Sequence, residues 1–249
     1  MDPLSVVILF LVGVVSSFLN VMAGGGSAIS LPVLIFMGLD SAVANGTNRV
    51  ALVFQNVFAV SSFRSQEVHA FRQSLKFTAW AMPGAIAGAV LGVTISDAWF
   101  QRILGIVMIV TVVSILLPQK ATGPVNDATR RKHERWIYPI MAVIGFYGGF
   151  IQVSVGFLFM ASLYHVMKMN LVFVNMHKVT IVMLYMVPAL GVYAATGNVD
   201  WLLGLTLGAG SAVGGWWAAR VSVKGGEKVI RIVLVGAILV MAAKLLGLF

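Results

Sequence analysis

Long apolar runs separated by short polar breaks cover this chain from one end to the other. An α-helix rises about 1.5 Å per residue, so about 20 apolar residues are enough to cross a hydrocarbon core of about 30 Å. The runs reach this length and do not alternate apolar with polar residues, which favours transmembrane helices over a β-barrel. The pattern predicts an all-α polytopic membrane protein without a soluble domain. The eight runs cover residues 3–39, 42–63, 75–95, 99–117, 136–167, 171–196, 201–221 and 229–249.

The runs fall into two similar sets. Each set begins with a long run that contains a break, at Gly24 to Gly26 in the first set and around Ser154 to Gly156 in the second. Three uninterrupted runs follow each broken one, which predicts an internal duplication. The predicted units are a first transmembrane repeat at 1–117, a polar linker at 118–135 and a second transmembrane repeat at 136–249.

Individual residues also match between the two sets. A shift of 130 positions places Gly26 on Gly156 and Asn45 on Asn175. Later glycines match at a similar shift, and their small-xxx-small spacing predicts helices that pack closely. Those glycines are Gly84, Gly88, Gly92, Gly204, Gly208, Gly210 and Gly214.

Composition and charge add the orientation of the helices. The chain is 59% hydrophobic and 10% charged, whereas a soluble domain carries about a quarter charged residues. The net charge of +9 would suggest a nucleic acid partner in a soluble protein, but here most cations lie in three loops between apolar runs. The positive-inside rule places such loops in the cytoplasm. Membrane topology therefore explains the positive charge, and no nucleic acid partner is predicted. The cations are Arg64, Arg72 and Lys76; Lys120, Arg130, Arg131, Lys132 and Arg135; and Arg220, Lys224, Lys228 and Arg231.

All three basic loops lie on one side only if each broken run enters the membrane and returns as a hairpin. Each half then has three ordinary crossings, an odd number, so the second half is inverted relative to the first. Both termini are then expected outside the cell. The opening run lacks a basic n-region and a cleavage pattern, so it is expected to be a retained helix. Arg102, at the outer start of its run, is an exception to the charge rule.

The first break is the most informative local feature. Successive glycines free the backbone from helical dihedrals and expose N–H groups just ahead of a helix N-terminus, whose partial positive charge favours anions. We therefore expect Gly24, Gly25, Gly26 and Ser27 to form an anion-binding nest. The alternative is a tight hairpin bend or a close contact between helices.

Polar side chains elsewhere are expected to complete this site. At the second break, Gln152 and Ser154 supply an amide and a hydroxyl, and an unpaired Gln in hydrocarbon costs free energy unless it has a partner inside the bundle. The run after each break carries amides and a cation at helical spacing, which predicts a wet or paired face. These residues are Asn45, Asn48 and Arg49 in the first half and Asn175, His177 and Lys178 in the second.

Three of these residues have an ordinary alternative role. Arg49 and Lys178 lie about two turns into their helices, so each side chain could instead reach the membrane surface. His177 could relay protons, although a buried histidine is more often a satisfied polar group.

The acidic residues narrow the class of cargo. No Asp or Glu lies in the middle of a predicted helix, which disfavours an acidic cation site and a carboxylate proton relay. The chain has no cysteine, no HExxH motif and no Walker motif, so it predicts neither an enzyme nor a bound metal or cofactor. The excess of amide, hydroxyl and cationic groups inside the bundle favours a small anion as cargo.

The stretch AGGGSAISLPVLIFMGLDSAVANGTNRVAL, residues 23–52, resembles the first signature of the sulfite exporter TauE/SafE family of bacterial membrane transporters. The signature has a glycine-rich break, a proline, a glycine and then Ala-x-Gly-Thr-Asn, found here at Pro32, Gly38 and Ala44 to Asn48. The second signature of the family is another glycine-rich break, which remains here only as Ser154 and Gly156.

The resemblance implies a secondary transporter of the bacterial inner membrane that moves small sulfur-containing anions such as sulfite, sulfonates or thiosulfate by alternating access. Export is the expected direction, with a proton or a sodium ion as a possible coupling partner. A passive anion channel and a carrier of non-sulfur organic carboxylates remain open as alternatives. The expected substrate-binding residues are Gly24, Gly25, Gly26, Ser27, Asn45, Asn48, Arg49, Gln152, Ser154, Asn175, His177 and Lys178.

Overall fold

The computed structural model describes residues 3–104, 106 and 135–245, and this part of the chain is helical and contains no β-strand. The helices are α1 (Pro3–Ala23), α2 (Ser27–Phe36), α3 (Ser41–Ser65), α4 (Phe71–Thr94), α5 (Ile137–Phe150), α6 (Val155–His165), α7 (Leu171–Ala195) and α8 (Trp201–Leu245). Of these, α1, α4 and α7 are long and apolar enough to cross a bilayer. The prediction of an all-α polytopic membrane protein is confirmed.

The helix boundaries differ from the predicted runs near the C-terminus. A polar loop was expected between the runs 201–221 and 229–249, and within this interval α8 consists of two helices that meet at a kink at Gly226, where φ is 61° and ψ is −162°. Serine and lysine are tolerated in a helix, whereas a glycine readily adopts positive φ. The predicted run 99–117 and the linker 118–135 lie almost wholly outside the described residues, which include a helical stretch at 97–104.

Each predicted break reverses the chain. A Cβ added to Gly26 would overlap the carbonyl oxygen of Ser16 and approach the side chain of Asn20, so α2 begins beside α1 and does not continue it. Three of the four helices that flank the breaks are short: α2 has 10 residues, α5 has 14 and α6 has 11. At 1.5 Å per residue they measure about 15 to 21 Å, less than the hydrocarbon core.

Close helix contacts link the two halves in a reciprocal way. On α4, Gly84 and Gly88 pack directly on the α5 backbone at Ala142 and Phe146. On α8, Gly210 and Gly214 pack directly on the α1 backbone, at Phe10 and Val14. The predicted role of these glycines in helix packing is confirmed, and each half supplies the partner for the hairpin of the other.

The order of these contacts gives the direction of each helix. Later residues of α1 contact later residues of α8, and the same is true of α3 and α8. These three helices are therefore parallel where they meet. The same holds for α4 with α5 and for α4 with α7. In contrast, α3 and α7 are antiparallel, because Asn45 bonds to Tyr193 whereas Arg49, further along α3, contacts Met186, earlier on α7. Helices α1, α3 and α8 thus run opposite to α4, α5 and α7.

Candidate functional site

The two breaks meet in the interior of the bundle. A Cβ on Gly24 would overlap the backbone of Gly156 and Phe157, and a Cβ on Gly156 would overlap Gly24. A hydrogen bond joins the same segments, since the backbone N–H of Ser154 donates to Oγ of Ser27 at 3.3 Å. We call the buried segments 24–27 and 152–156 the tip junction.

Positive backbone dihedrals shape both sides of the tip junction. Gly24 has φ of 91°, which glycine adopts without a steric penalty. On the other side, Gln152 and Ser154 have φ of 66° and 59°, and such a conformation costs a residue with a side chain about 1–2 kcal/mol. Strain of this kind collects at binding sites, where the surrounding structure holds it in place.

Several buried polar atoms in and around the tip junction have no hydrogen-bond partner among the described residues. They include Oε1 of Gln152 and Oγ of Ser154 at the second break, Oδ1 of Asn45, Oδ1 of Asn48 and Nε of Arg49 on α3. An unsatisfied buried polar atom costs about 1–3 kcal/mol. Such a group of atoms fits a place where a polar ligand or water completes the bonding.

Arg49 is fully buried and binds the C-terminal end of α5. Its Nη1 donates to the carbonyl oxygen of Gly148 at 3.2 Å, and its Nη2 donates to those of Gly149 and Phe150. The guanidinium also lies 4.4 Å from the ring centre of Tyr193. Arg49 therefore does not reach the membrane surface, and it holds the helix end that leads directly into Gln152.

Lys178 makes the matching contacts in the other half. It is 3% exposed, and its Nζ donates to the carbonyl oxygens of Asn20 at 3.0 Å and Val21 at 2.6 Å, in the last turn of α1. Its third hydrogen bond goes to Oδ1 of Asn175 at 2.9 Å. These three bonds use all three ammonium protons, whereas Arg49 keeps Nε without a partner.

The remaining predicted residues divide between the junction and another place. Asn45 donates to the carbonyl oxygen of Phe150 and to the hydroxyl of Tyr193, both at 2.7 Å. Asn175 supports Lys178 and lies 3.4 Å from Oγ of Ser222. The structure does not bring His177 to the junction, because its Nδ1 lies 2.8 Å from Oγ of Ser74 on α4.

Two tyrosines near the junction, Tyr185 and Tyr193, were not among the predicted substrate-binding residues. The hydroxyl of Tyr193 bonds to Asn45 and to the end of α5, and that of Tyr185 is buried beside Gly148. Tyr185 shares a helical face with Lys178, a signal that could have identified it. Tyr193 lies near the C-terminal end of α7, where nothing in the local pattern distinguishes it from an interfacial aromatic residue.

The interior carries positive charge without a buried acid. Among the described residues, the buried side chains include Arg49 and Lys178 but no aspartate or glutamate. Helix carbonyls offset part of this charge, since a helix C-terminus carries about half a negative charge. The arrangement therefore accepts an anion more readily than a cation.

Comparisons with known proteins identify the family of this chain. The family described as "Sulfite exporter TauE/SafE" matches residues 9–245. The chain is 26% identical to "Probable membrane transporter protein YfcA" of Escherichia coli strain K12, over 98% of this chain and 91% of that protein. It is 25% identical to a "Probable membrane transporter protein" of Haemophilus influenzae, over 96% and 93% of the two chains.

A third relative comes from a distant bacterium: the chain is 26% identical to "Probable membrane transporter protein YunE" of Bacillus subtilis, over 93% of this chain and 95% of that protein. No solved structure matches the chain significantly. Because the family match covers nearly the whole chain, this multi-pass membrane protein belongs to the sulfite exporter TauE/SafE family and is a membrane transporter.

Proposed function

We propose that this protein is a secondary transporter that exports small sulfur-containing anions, such as sulfite, sulfonates or thiosulfate, and binds them at the tip junction. One observation carries the proposal: the described interior holds two buried cations and no buried carboxylate, beside two buried donors without partners, Ser154 Oγ and Arg49 Nε. An anion would supply the missing charge and accept hydrogen bonds from Ser154 Oγ and Arg49 Nε. The sulfur chemistry is suggested by the family description alone.

Alternating access would come from an inverted repeat. In support, corresponding helices of the two halves run in opposite directions: α1 runs opposite to α5, α3 opposite to α7, and α4 opposite to the first part of α8. Short hairpins that enter from opposite faces would meet tip to tip, and rocking one half against the other would open the junction to each side in turn. In this arrangement both termini lie in the periplasm of the bacterial inner membrane.

A pair of serines on the second hairpin separates a binding role from a structural one. The hydroxyl of Ser154 has no partner among the described residues, whereas that of Ser162 donates to the carbonyl oxygen of Phe159 at 3.0 Å. Removing an unpartnered buried hydroxyl does not lower the free energy of unfolding. Ser154→Ala should keep the thermal stability of the native protein yet raise the half-saturating anion concentration about tenfold, the loss of one charge-assisted hydrogen bond.

The measurement is counterflow of radiolabelled thiosulfate and sulfite into proteoliposomes, with Ser162→Ala as the matched control. Equal transport by Ser154→Ala and the native protein would remove the junction as the binding site. Saturable exchange separates a carrier from a passive channel, which would show electrodiffusive current without counterflow. Counterflow of a radiolabelled simple carboxylate without counterflow of thiosulfate or sulfite would establish the carboxylate alternative, and imposed proton or sodium gradients would identify a coupling ion.

A further inference from the structure

A cavity of about 1010 Å³ lies away from the tip junction. It is partly open and is formed by the first turns of α4, α5 and α7 and by the loop between α6 and α7. Its wall contains the four cations Arg72, Lys76, Arg135 and Lys168. The other lining residues are Ala70, Gln73, Phe77, Ile137, Tyr138, Met167, Met169, Asn170, Phe173 and His177.

The electrostatics of this cavity favour an anion. Among the described residues no lining residue is acidic, and the lining residue Asn170 donates to Oε2 of Glu227 at 3.2 Å. The helices α4, α5 and α7 all begin here, and none has an acidic residue in its first turn. Three positive helix ends thus add to the side-chain charge. Arg72 and Lys76 are four residues apart on one helix, a like-charge pair that is unfavourable without a counter-charge.

The inner wall offers a polar group at depth. His177 is 1% exposed, and its Nδ1 lies 2.8 Å from Oγ of Ser74. Its Nε2 has no hydrogen-bond partner among the described residues. The next residue along α7 is Lys178, which binds the end of α1 at the tip junction. The cavity and the junction therefore lie on either side of the same turn of α7.

We propose that this cavity is a second anion site, which binds a tetrahedral oxyanion group through Arg72 and Lys76 with His177 at its base. The group could belong to a free sulfonate, sulfate or thiosulfate, or to the phosphate of an anionic lipid. Three of the wall cations, Arg72, Lys76 and Arg135, belong to the loops that the charge pattern places in the cytoplasm. If the protein is the anion transporter proposed above, the cavity would serve as the cytoplasmic entrance to the tip junction, and that role rests on the proposed function. The binding of an anion in the cavity does not depend on it.

Binding of radiolabelled thiosulfate is measured by equilibrium dialysis on the full chain in nanodiscs of phosphatidylcholine. The Arg72→Gln/Lys76→Gln variant should bind the anion of the cavity about tenfold more weakly, as expected for two lost charge contacts. The matched control is Lys224→Gln/Lys228→Gln, which removes two exposed cations from α8 that do not line the cavity. A swap of the pair, Arg72→Lys/Lys76→Arg, keeps both charges and should keep binding, which excludes misfolding as the cause.

A second arm uses nanodiscs that contain phosphatidylglycerol and counts the lipids bound to the protein by native mass spectrometry. A lipid retained by the native protein and by the control, but lost by Arg72→Gln/Lys76→Gln, identifies a lipid phosphate as the occupant. The proposal is overturned if neither anion binds the native protein, or if the glutamine pair and the control behave alike. Failure of the proposed function would look different, because anion binding to the cavity would persist without any transport.

Discussion

At the scale of single residues, each broken helix ends on a cation from the other half of the chain. Arg49 binds the last carbonyls of α5 and Lys178 binds those of α1. The last four carbonyls of a helix have no partner within it, and the helix dipole adds a partial negative charge at the same place. A buried cation satisfies both, so these side chains stabilise the non-helical backbone that follows.

Lys178→Met should destabilise the protein, because it leaves the carbonyl of Val21 and the amide oxygen of Asn175 without a donor. Each orphaned group costs about 1–3 kcal/mol, so a clear fall in unfolding temperature is expected. The measurement is thermal unfolding of the purified protein in detergent, with Lys224→Met as an exposed control. If both variants unfold at the same temperature, Lys178 does not hold the end of α1.

Two glycines with nearly the same backbone conformation isolate the contact between the tips. Gly24 and Gly38 have φ of 91° and 94°, but only Gly24 faces another backbone, whereas Gly38 has open space around it. Gly38→Ala should cost only the conformational strain, about 1–2 kcal/mol. Gly24→Ala adds an overlap with Gly156, which should lower the free energy of unfolding by a further amount of about 1–3 kcal/mol. The same variant should also reduce transport. Equal unfolding temperatures for the two variants would contradict a close tip junction.

The residue scale also shows the limit of inference from sequence. The polar residues Asn45, Arg49, Asn175 and Lys178 stand out in apolar helices, so their place in the interior could be predicted. Their partners could not, because both cations bind backbone carbonyls, which every residue has and no sequence pattern marks. For His177 the same pattern was misleading, since residues 177 and 178 point to different sides of one helix.

At the scale of whole elements, glycines allow α4 to approach α5 and α8 to approach α1. Gly84 lies against the α5 backbone, whereas Gly191 on α7 has open space. Gly84→Val should separate α4 from α5 and lower the unfolding temperature, while Gly191→Val carries the same change in helix propensity without the overlap. Comparing the two in thermal unfolding tests the contact, and similar results for both would rule it out.

Element boundaries were predictable where the chemistry is abrupt. Glycines and a proline gave the break after α1, and the apolar runs gave α3, α4 and α7 within a few residues. The break near residue 226 was predicted, but the helix before it extends past residue 221, because charged residues were interpreted as a loop although they are compatible with a helix. The short length of α2 could not be predicted from the sequence, since the apolar residues of α1 and α2 belong to the same run.

At the scale of the whole molecule, an inverted repeat predicts which surfaces face each side of the membrane. The chain has no cysteine, so single cysteines at exposed positions report on sidedness directly. Asp40→Cys and Thr196→Cys should react with a membrane-impermeant maleimide in intact cells. Arg64→Cys and Lys224→Cys should react only after the membrane is permeabilised. A reversed pattern at either pair would contradict the inverted arrangement.

The reciprocal caps also impose an order on biosynthesis. Lys178 lies 158 positions after Asn20, whose carbonyl it binds, so the end of α1 enters the membrane long before its partner has been synthesised. Contacts between such distant parts of a chain form late in folding. The carbonyl of Val21 therefore stays without its donor until α7 is inserted. A chain that stops before Lys178 would leave the first hairpin incomplete and exposed to quality-control proteases.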